Sequence, residues 1–520
     1  MPDGGRPSIS PLGPRYNRPM HTKRDWFDGL ALVLILLLAA WLRLAHAADN
    51  PGWFSDEGTQ LELARQALHG RAQYFAITQS TLLFSRLPLF TAVLAAAARL
   101  GGLSMTTLRL LSGSLGMLTV GLVYGLARWG FGRRPLALLA ALLLAVYPTA
   151  VLYARFGFSY NLLAPLLLGA IWSLGMYRRD GRASWLALSA LCLGLGTLTD
   201  LLALAFVPVW LLVAAAKNWR AAVWGGLLLA LPLGTYTAVS LLRAPAACWF
   251  DLDFVLFRIS PDGPQQLRLL ADNLRTLPAQ DAWLVWGLAG LLLLRPAAWR
   301  RLLLAFTLIP LLILGRTSPL FSLSAYYLIP FLPLMALGAA SLVFTGLEIA
   351  AKFARLPKAL GWGLALLLAA WSAAPVIGQV NGRFLSPIDP FLLAGPDARA
   401  AAAFVNGRLA ADDLVIASPT LGWALHGRVA DFQMAVAADG AATPHLPADL
   451  PPARLAFDPR FGAARFVVVD PLWRSWAQIH VPGLTAVLDA ITHIWPEVFR
   501  AGEIQVYENP AVRPGPLARP

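Results

Sequence analysis

Apolar runs recur along most of this chain. They lie at 29–47, 83–100, 106–127, 135–152, 159–177, 184–198, 201–216, 221–243, 282–295, 300–315, 325–347 and 360–378. A helix that crosses a bilayer needs about 20 apolar residues, with 17 to 25 typical. The pattern therefore predicts a polytopic α-helical membrane protein. After residue 380 it changes. Short β-like runs at Leu414–Ser418, Phe466–Val469 and Ile504–Tyr507 alternate with helical stretches at 397–411 and 483–491. That alternation predicts a small soluble α/β domain over 381–510, with a proline-rich flexible tail at 511–520.

Composition strengthens this picture. Of 520 residues, 58% are hydrophobic and only 13% are charged, about half the usual charged share. Such a chain does not cover a water-soluble surface. It is excluded from the disordered and the disulfide-stapled classes. Cys192 and Cys248 are the only cysteines, too few for a thiolate metal site. The formal charge of +14 would suggest nucleic acid in a soluble protein. Here basic residues are expected to mark cytoplasmic loops, and no nucleic-acid partner is expected.

The basic clusters fix an orientation. They are Arg128/Arg133/Arg134, Arg178/Arg179/Arg182, Lys217/Arg220, Arg295/Arg300/Arg301 and Lys352/Arg355/Lys358. Residues 1–28, with five basic side chains among prolines and glycines, read as a disordered cytoplasmic tail. The run 29–47 is then a retained first span. If 83–100 also crossed, every later cluster would lie outside. If it lies along the outer interface, all five lie inside, and Arg86, Pro88 and Arg99 suit that placement. About eleven spans result, within a membrane domain over 29–380. The first outer loop is then 48–105, a second is 244–281, and the C-terminal domain is extracytoplasmic.

Charges near the outer boundary carry the candidate chemistry. Asp56 and Glu57 open a helix expected from Thr59 to Leu68, with Ser55 or Asp56 as its cap. Asp56 there is either a capping residue or a carboxylate base, and the two roles are compatible. Arg155, in Tyr153-Ala154-Arg155-Phe156, is either a snorkelling belt residue or a phosphate ligand. Asp200 needs either a tight outer turn or a contact to Arg155. Arg316 precedes Tyr326 and Tyr327 at the next outer boundary. Asp251 and Asp253 lie in the second outer loop among aromatic residues.

In order, the chain carries Asp56-Glu57, then Leu63-Ala64-Arg65-Gln66-Ala67 and Gly70, then Arg86-Leu87-Pro88-Leu89-Phe90. Leu108-Arg109-Leu110, Gly132-Arg133-Arg134, Tyr147-Pro148, Tyr153-Ala154-Arg155 and the segment Tyr326 to Pro333 follow. Over roughly 26–380 this series resembles the GT-C superfamily of membrane glycosyltransferases, in the branch of protein O-mannosyltransferases and the lipid A aminoarabinose transferase. The resemblance implies a sugar donor on a polyprenyl phosphate. It implies inverting transfer to a glycolipid, glycan or protein hydroxyl, and a bacterial inner membrane with the active site facing the periplasm. It implies Asp56 as catalytic base with Glu57 assisting, and Arg155, Arg316 and Arg86 on the donor phosphate. Tyr153, Asp200, Tyr326, Tyr327, Asp251 and Asp253 would line the substrate pocket. Two positions depart from the family: Asp200, where a lysine often follows threonine, and Ala325, where a basic residue is common before Tyr326. No cofactor is required by this scheme. A divalent metal on Asp56/Glu57 with His480 or His69 is conceivable, but the spacing is not diagnostic.

Two other classes fit the chain: a lipid-linked sugar transporter or flippase, which would use the same outer charges for binding, and a noncatalytic envelope assembly protein, which would work through its outer domain. The orientation has a direct check. A reporter fused after residue 420 is expected to be active only outside the cytoplasm, and cytoplasmic activity would overturn the whole topology.

Overall fold

Apolar runs become helices here, and the polar turns between them set where the helices stop. A computed structural model describes residues 23–79, 86–259, 263–316, 322–353, 358–386, 388–448 and 450–512. The expected tails, 1–22 and 513–520, and residues 83–85 of the second apolar run lie outside this range. Helix α1 runs Lys23–Leu44, so it starts inside the segment expected to be a tail up to residue 28. The segment expected as the first outer loop then folds as α2 (Ser55–Leu68), a small hairpin of β1 (Gln73–Tyr74) and β2 (Ile77–Thr78), and α3 (Pro88–Gly101).

Helix α3 has 14 residues, about 21 Å at 1.5 Å per residue and short of a ~30 Å hydrocarbon core. It buries Phe90, Thr91, Leu94 and Ala98, one helical stripe, against α2 and the following α4 (Met105–Gly130). Six described helices are long and apolar enough to span: Trp26–Leu44, Met105–Gly130, Tyr160–Asp180, Trp219–Arg243, Ala297–Gly315 and Leu332–Lys352. The pair α5 (Arg134–Val146) and α6 (Pro148–Ala154), bent by 60°, makes a seventh. A total of eleven requires the shorter apolar helices Ala183–Thr199, Leu201–Ala215, Ala282–Leu292 and Ala365–Asn381 to cross as well.

The α5–α6 bend has a chemical cause. Pro148 has no N–H to give the Leu144 carbonyl, which would be its partner in a straight helix. Arg43 of α1 supplies the missing donors, reaching Leu144 O and Ala145 O at 2.9 Å each. Elsewhere in the bundle, glycine permits close packing. Gly287 and Gly290 of Ala282–Leu292 meet Gly338 of Leu332–Phe353 backbone to backbone, the small-residue contact that lets membrane helices approach.

The C-terminal part contains a five-stranded mixed sheet in the order β4-β3-β5-β7-β6. The strands are β3 (Leu414–Ala417), β4 (Arg428–Asp431), β5 (Ala464–Val469), β6 (Glu497–Ala501) and β7 (Ile504–Glu508). Strands β3, β4 and β5 are parallel, and β7 and β6 add antiparallel. The three β-like runs expected from the sequence are β3, β5 and β7. The two missed strands are the sheet's edges: β6 stays partly exposed, and β4, although three of its four residues are buried, has only Val429 and Ala430 as apolar signal between Arg428 and Asp431. The helix expected over 397–411 is Gly395–Asn406, ending at Gly407.

The segment between α1 and α3 meets the sheet domain at several points. Trp53 and Leu393 exchange backbone hydrogen bonds at 2.8 and 3.0 Å. Ala456 N–H donates to Ala76 O at 2.8 Å. Gly58 lies against the Pro419 carbonyl with no room for a β-carbon. Gly58→Ala is therefore expected to destabilise the protein by about 1–3 kcal/mol through overpacking, read as a lower melting temperature. Gly121→Ala, in open space on α4, is the control and should not lower it.

Candidate active site

Asp56 and Glu57 are neighbours in sequence but do opposite things, because a helix turns each residue about 100° from the last. Helix α2 starts at Ser55, with Phe54 in the N-cap position, so neither Ser55 nor Asp56 is the cap expected. Glu57 closes the helix start instead: its carboxylate accepts the Phe54 N–H at 3.1 Å. The same carboxylate takes a bidentate pair of bonds from Arg109, at 2.8 and 2.6 Å, and a third partner, Gly157 N–H, at 2.8 Å. Both side chains are fully buried. With all of its oxygens engaged, Glu57 stands as a structural anchor and has no open oxygen toward a substrate.

Arg109 also donates to Ala47 O (2.9 Å), Pro51 O (2.6 Å) and Gly52 O (2.7 Å). Arg155 holds the other side of that loop, donating to Leu42 O, Ala45 O and Asn50 O at 2.6–2.7 Å. Its guanidinium is buried over the Phe384 ring, so it does not face the cavity as a phosphate ligand would. The loop between α1 and α2 is thus bound carbonyl by carbonyl to two buried arginines. Its geometry delivers Asp56.

Asp56 itself points outward. Its Oδ1 meets Arg86 Nη2 at 2.7 Å, with both side chains about a quarter exposed. Partial burial pulls the Arg86 guanidinium down, but Asp56, with Tyr160, Tyr326 and Asp200, more than offsets this and holds it above its ordinary value. The pair opens into a cavity of about 280 Å³ between the segment that links α1 to α3 and the sheet domain. Tyr326 forms part of the wall, stacked on Phe158 at 4.7 Å and on Tyr160 at 5.9 Å. Tyr153 and Tyr327 lie behind it in the same aromatic cluster.

The remaining expected residues are placed differently. Asp200 accepts from Ser159 Oγ (3.1 Å) and Leu202 N–H (3.0 Å), which caps the short 3-10 helix Leu201–Phe206. The tight turn therefore satisfies it, not Arg155. Asp251 is buried against Arg454 at 3.2 Å and ties the segment 244–281 to the C-terminal part. Asp253 is exposed. Arg316 is exposed where Ala297–Gly315 ends, beside residues outside the described range, and does not line the cavity. Among the described residues, no group of three His, Cys, Asp or Glu side chains is placed to hold a metal ion.

The opposite wall was not anticipated. It comes from the C-terminal sheet: Pro419 follows β3, Asp431 ends β4 and Leu472 follows β5, with Gln433, His445 and Trp476 beside them. In α/β sheets, ligands collect at the carboxyl ends of parallel strands, and this edge is the one turned toward Asp56. A signal existed in the chain: Leu414 to Ala417 ends in Ser418, Val429-Ala430 in Asp431, and Val467 to Val469 in Asp470. Each is an apolar strand stopped by a helix-capping residue. Burial pushes Asp431 up to about 7 and Asp470 up to about 6, and the two repel each other. Ser418 Oγ donates to Asp470 and Gln433 N–H to Asp431, which partly counter the rise.

These raised values have a sign. Between about pH 4 and 7 the folded state holds protons that the unfolded chain has lost, so stability falls as pH rises through that window. Above about 7 these two groups add no further slope. Asp431→Asn keeps a cap acceptor and removes one titration. The melting temperature of Asp431→Asn should fall less steeply from pH 5 to 7 than that of the unmodified protein. An unchanged slope would contradict the assignment.

Comparisons with known proteins bear on this arrangement. The sequence model of the family described as dolichyl-phosphate-mannose-protein mannosyltransferase matches residues 85–249. No curated protein matches the chain significantly. The fold is similar to that of ArnT from Cupriavidus metallidurans in the apo state: TM-score 0.64, 17% identity, with 94% of this chain and 98% of that one covered. It is equally similar to the same enzyme bound to undecaprenyl phosphate: TM-score 0.64, 15% identity, covering 95% and 100%. The oligosaccharyltransferase of Archaeoglobus fulgidus, in complex with Zn and sulfate, is similar at TM-score 0.52 and 13% identity, covering 86% and 68%. The resemblance read from the sequence is thus borne out at the level of the fold, which is shared with ArnT along nearly the whole chain, and the mannosyltransferase family model matches residues 85–249.

Proposed function

We propose that this protein is an inverting membrane glycosyltransferase. It moves a sugar from a polyprenyl-phosphate donor to a hydroxyl of a glycolipid, envelope glycan or protein. The site faces the periplasm of a bacterial inner membrane, and about eleven spans carry it. The observation that supports this most is the Asp56–Arg86 pair at 2.7 Å, opening into a cavity in an ArnT-like fold.

The chemistry follows from that pair. The donor's phosphate is already a leaving group, so no nucleotide is needed. Asp56 takes the proton of the acceptor hydroxyl. That oxygen forms a bond to the anomeric carbon from the face opposite the phosphate, while the bond from that carbon to the phosphate oxygen breaks. The electron pair leaves with the polyprenyl phosphate, and Arg86 stabilises the charge that develops there. Glu57, Arg109 and Arg155 act as positioning residues for Asp56.

The test is turnover by purified protein in lipid nanodiscs, with lipid-linked sugars extracted from bacterial envelopes as donors and envelope glycolipid as acceptor. Released polyprenyl phosphate is the readout. Asp56→Asn should lower turnover by about 10²–10⁴-fold, the usual contribution of a general base. Full turnover in that variant would remove Asp56 from the role.

A further inference from the structure

The wall facing Asp56 contains a feature that base catalysis leaves unused. Residues Trp473–Ala477 form a π-helical turn, a rare geometry that recurs at functional sites. Its widened register separates two tryptophans three positions apart. Trp473 turns inward and is fully buried against Phe432 at 4.9 Å and Phe461 at 6.2 Å. Trp476 is half-buried and lines the cavity. Its ring lies 5.7 Å from the His445 ring. His445 Nδ1 is in turn 3.0 Å from Gln433 Oε1, and both residues also line the cavity, as does Asp431.

An aromatic face bordered by amide, imidazole and carboxyl groups suits one class of ligand: a ring with an apolar face and a hydroxyl-rich rim. The cavity, at about 280 Å³, lies just under the usual ~300–1,000 Å³ of small-molecule sites. That favours a single ring over an extended strand of peptide. We infer that Trp476, Gln433 and His445 form the acceptor subsite, and that the acceptor presents a pyranose unit whose hydroxyl faces Asp56. This rests on the transferase reading above and narrows its acceptor from any hydroxyl to a sugar hydroxyl. Trp476 is a specificity residue in this scheme, and Asp56 remains the base.

The test uses full-length protein in nanodiscs and saturation-transfer NMR. The probes are methyl β-D-glucopyranoside and a serine-containing hexapeptide. The glycoside ring protons should be saturated by the wild-type protein, and the hexapeptide should not. Trp476→Leu keeps the bulk but removes the ring face, and should weaken glycoside binding by about tenfold, the scale of one aromatic contact. Trp476→Phe should restore most of it. Equal glycoside binding in Trp476→Leu, or saturation of the hexapeptide in place of the glycoside, overturns the subsite. If Trp476-dependent glycoside binding is present but no lipid-linked sugar is turned over, the transferase reading fails and the sugar subsite stands. If turnover is present with a KM for the glycolipid acceptor that Trp476→Leu does not move, the subsite fails and the transferase reading stands.

Discussion

The region around the cavity is assembled on one buried ion pair, Glu57 with Arg109. Two charges removed from water are costly unless every donor and acceptor is matched. Here they are matched: Glu57 accepts from Arg109, Phe54 and Gly157, and the remaining Arg109 donors go to loop carbonyls. Losing one partner of such a pair typically costs about 3–5 kcal/mol, because the other is left charged and alone. The pair joins four pieces of chain: the loop after α1, the start of α2, α4, which carries Arg109, and Gly157 just after the bent α5–α6 unit. Those pieces decide where Asp56 stands. Arg43 and Arg155 repeat the principle at the neighbouring helix ends, each donating to carbonyls that the helices leave open.

The Asp56 carboxylate then meets a second wall that belongs to a different part of the chain. The seam from Trp53–Leu393 through Gly58–Pro419 to Ala76–Ala456 holds the carboxyl edge of the parallel strands over Asp56. The Asp251–Arg454 pair fastens the segment 244–281 to the same assembly. The site is therefore composite. The membrane-side loops supply the carboxylate, the guanidinium and Tyr326, and the sheet domain supplies Asp431, Gln433, His445 and Trp476.

Much of this was legible in the chain. The apolar runs gave the helices, and α3 is too short to be an ordinary span. Asp56, Arg86 and Tyr326 do meet at one cavity. What sequence could not separate was Asp56 from Glu57, since both are acidic and adjacent, and only the helix start decides which one turns inward. Arg155 sits at the boundary where a phosphate ligand would sit, yet its donors are consumed by backbone carbonyls that no sequence pattern exposes. Arg43 was hidden inside an apolar run for the same reason. The sheet-domain wall was missed because residues brought together by parallel strands are distant in sequence. The Ser or Asp that ends each of those strands was the available sign.

The central claim is that the donor's phosphate is held at Arg86 beside Asp56, on the loop that Glu57 and Arg109 fix. The most direct measurement is a cryo-electron microscopy structure of the full chain in nanodiscs with undecaprenyl phosphate added. The account predicts phosphate density within hydrogen-bonding distance of the Arg86 guanidinium, with Glu57 and Arg109 still paired. A phosphate bound elsewhere, with the Asp56–Arg86 pair unchanged and out of reach, would contradict it.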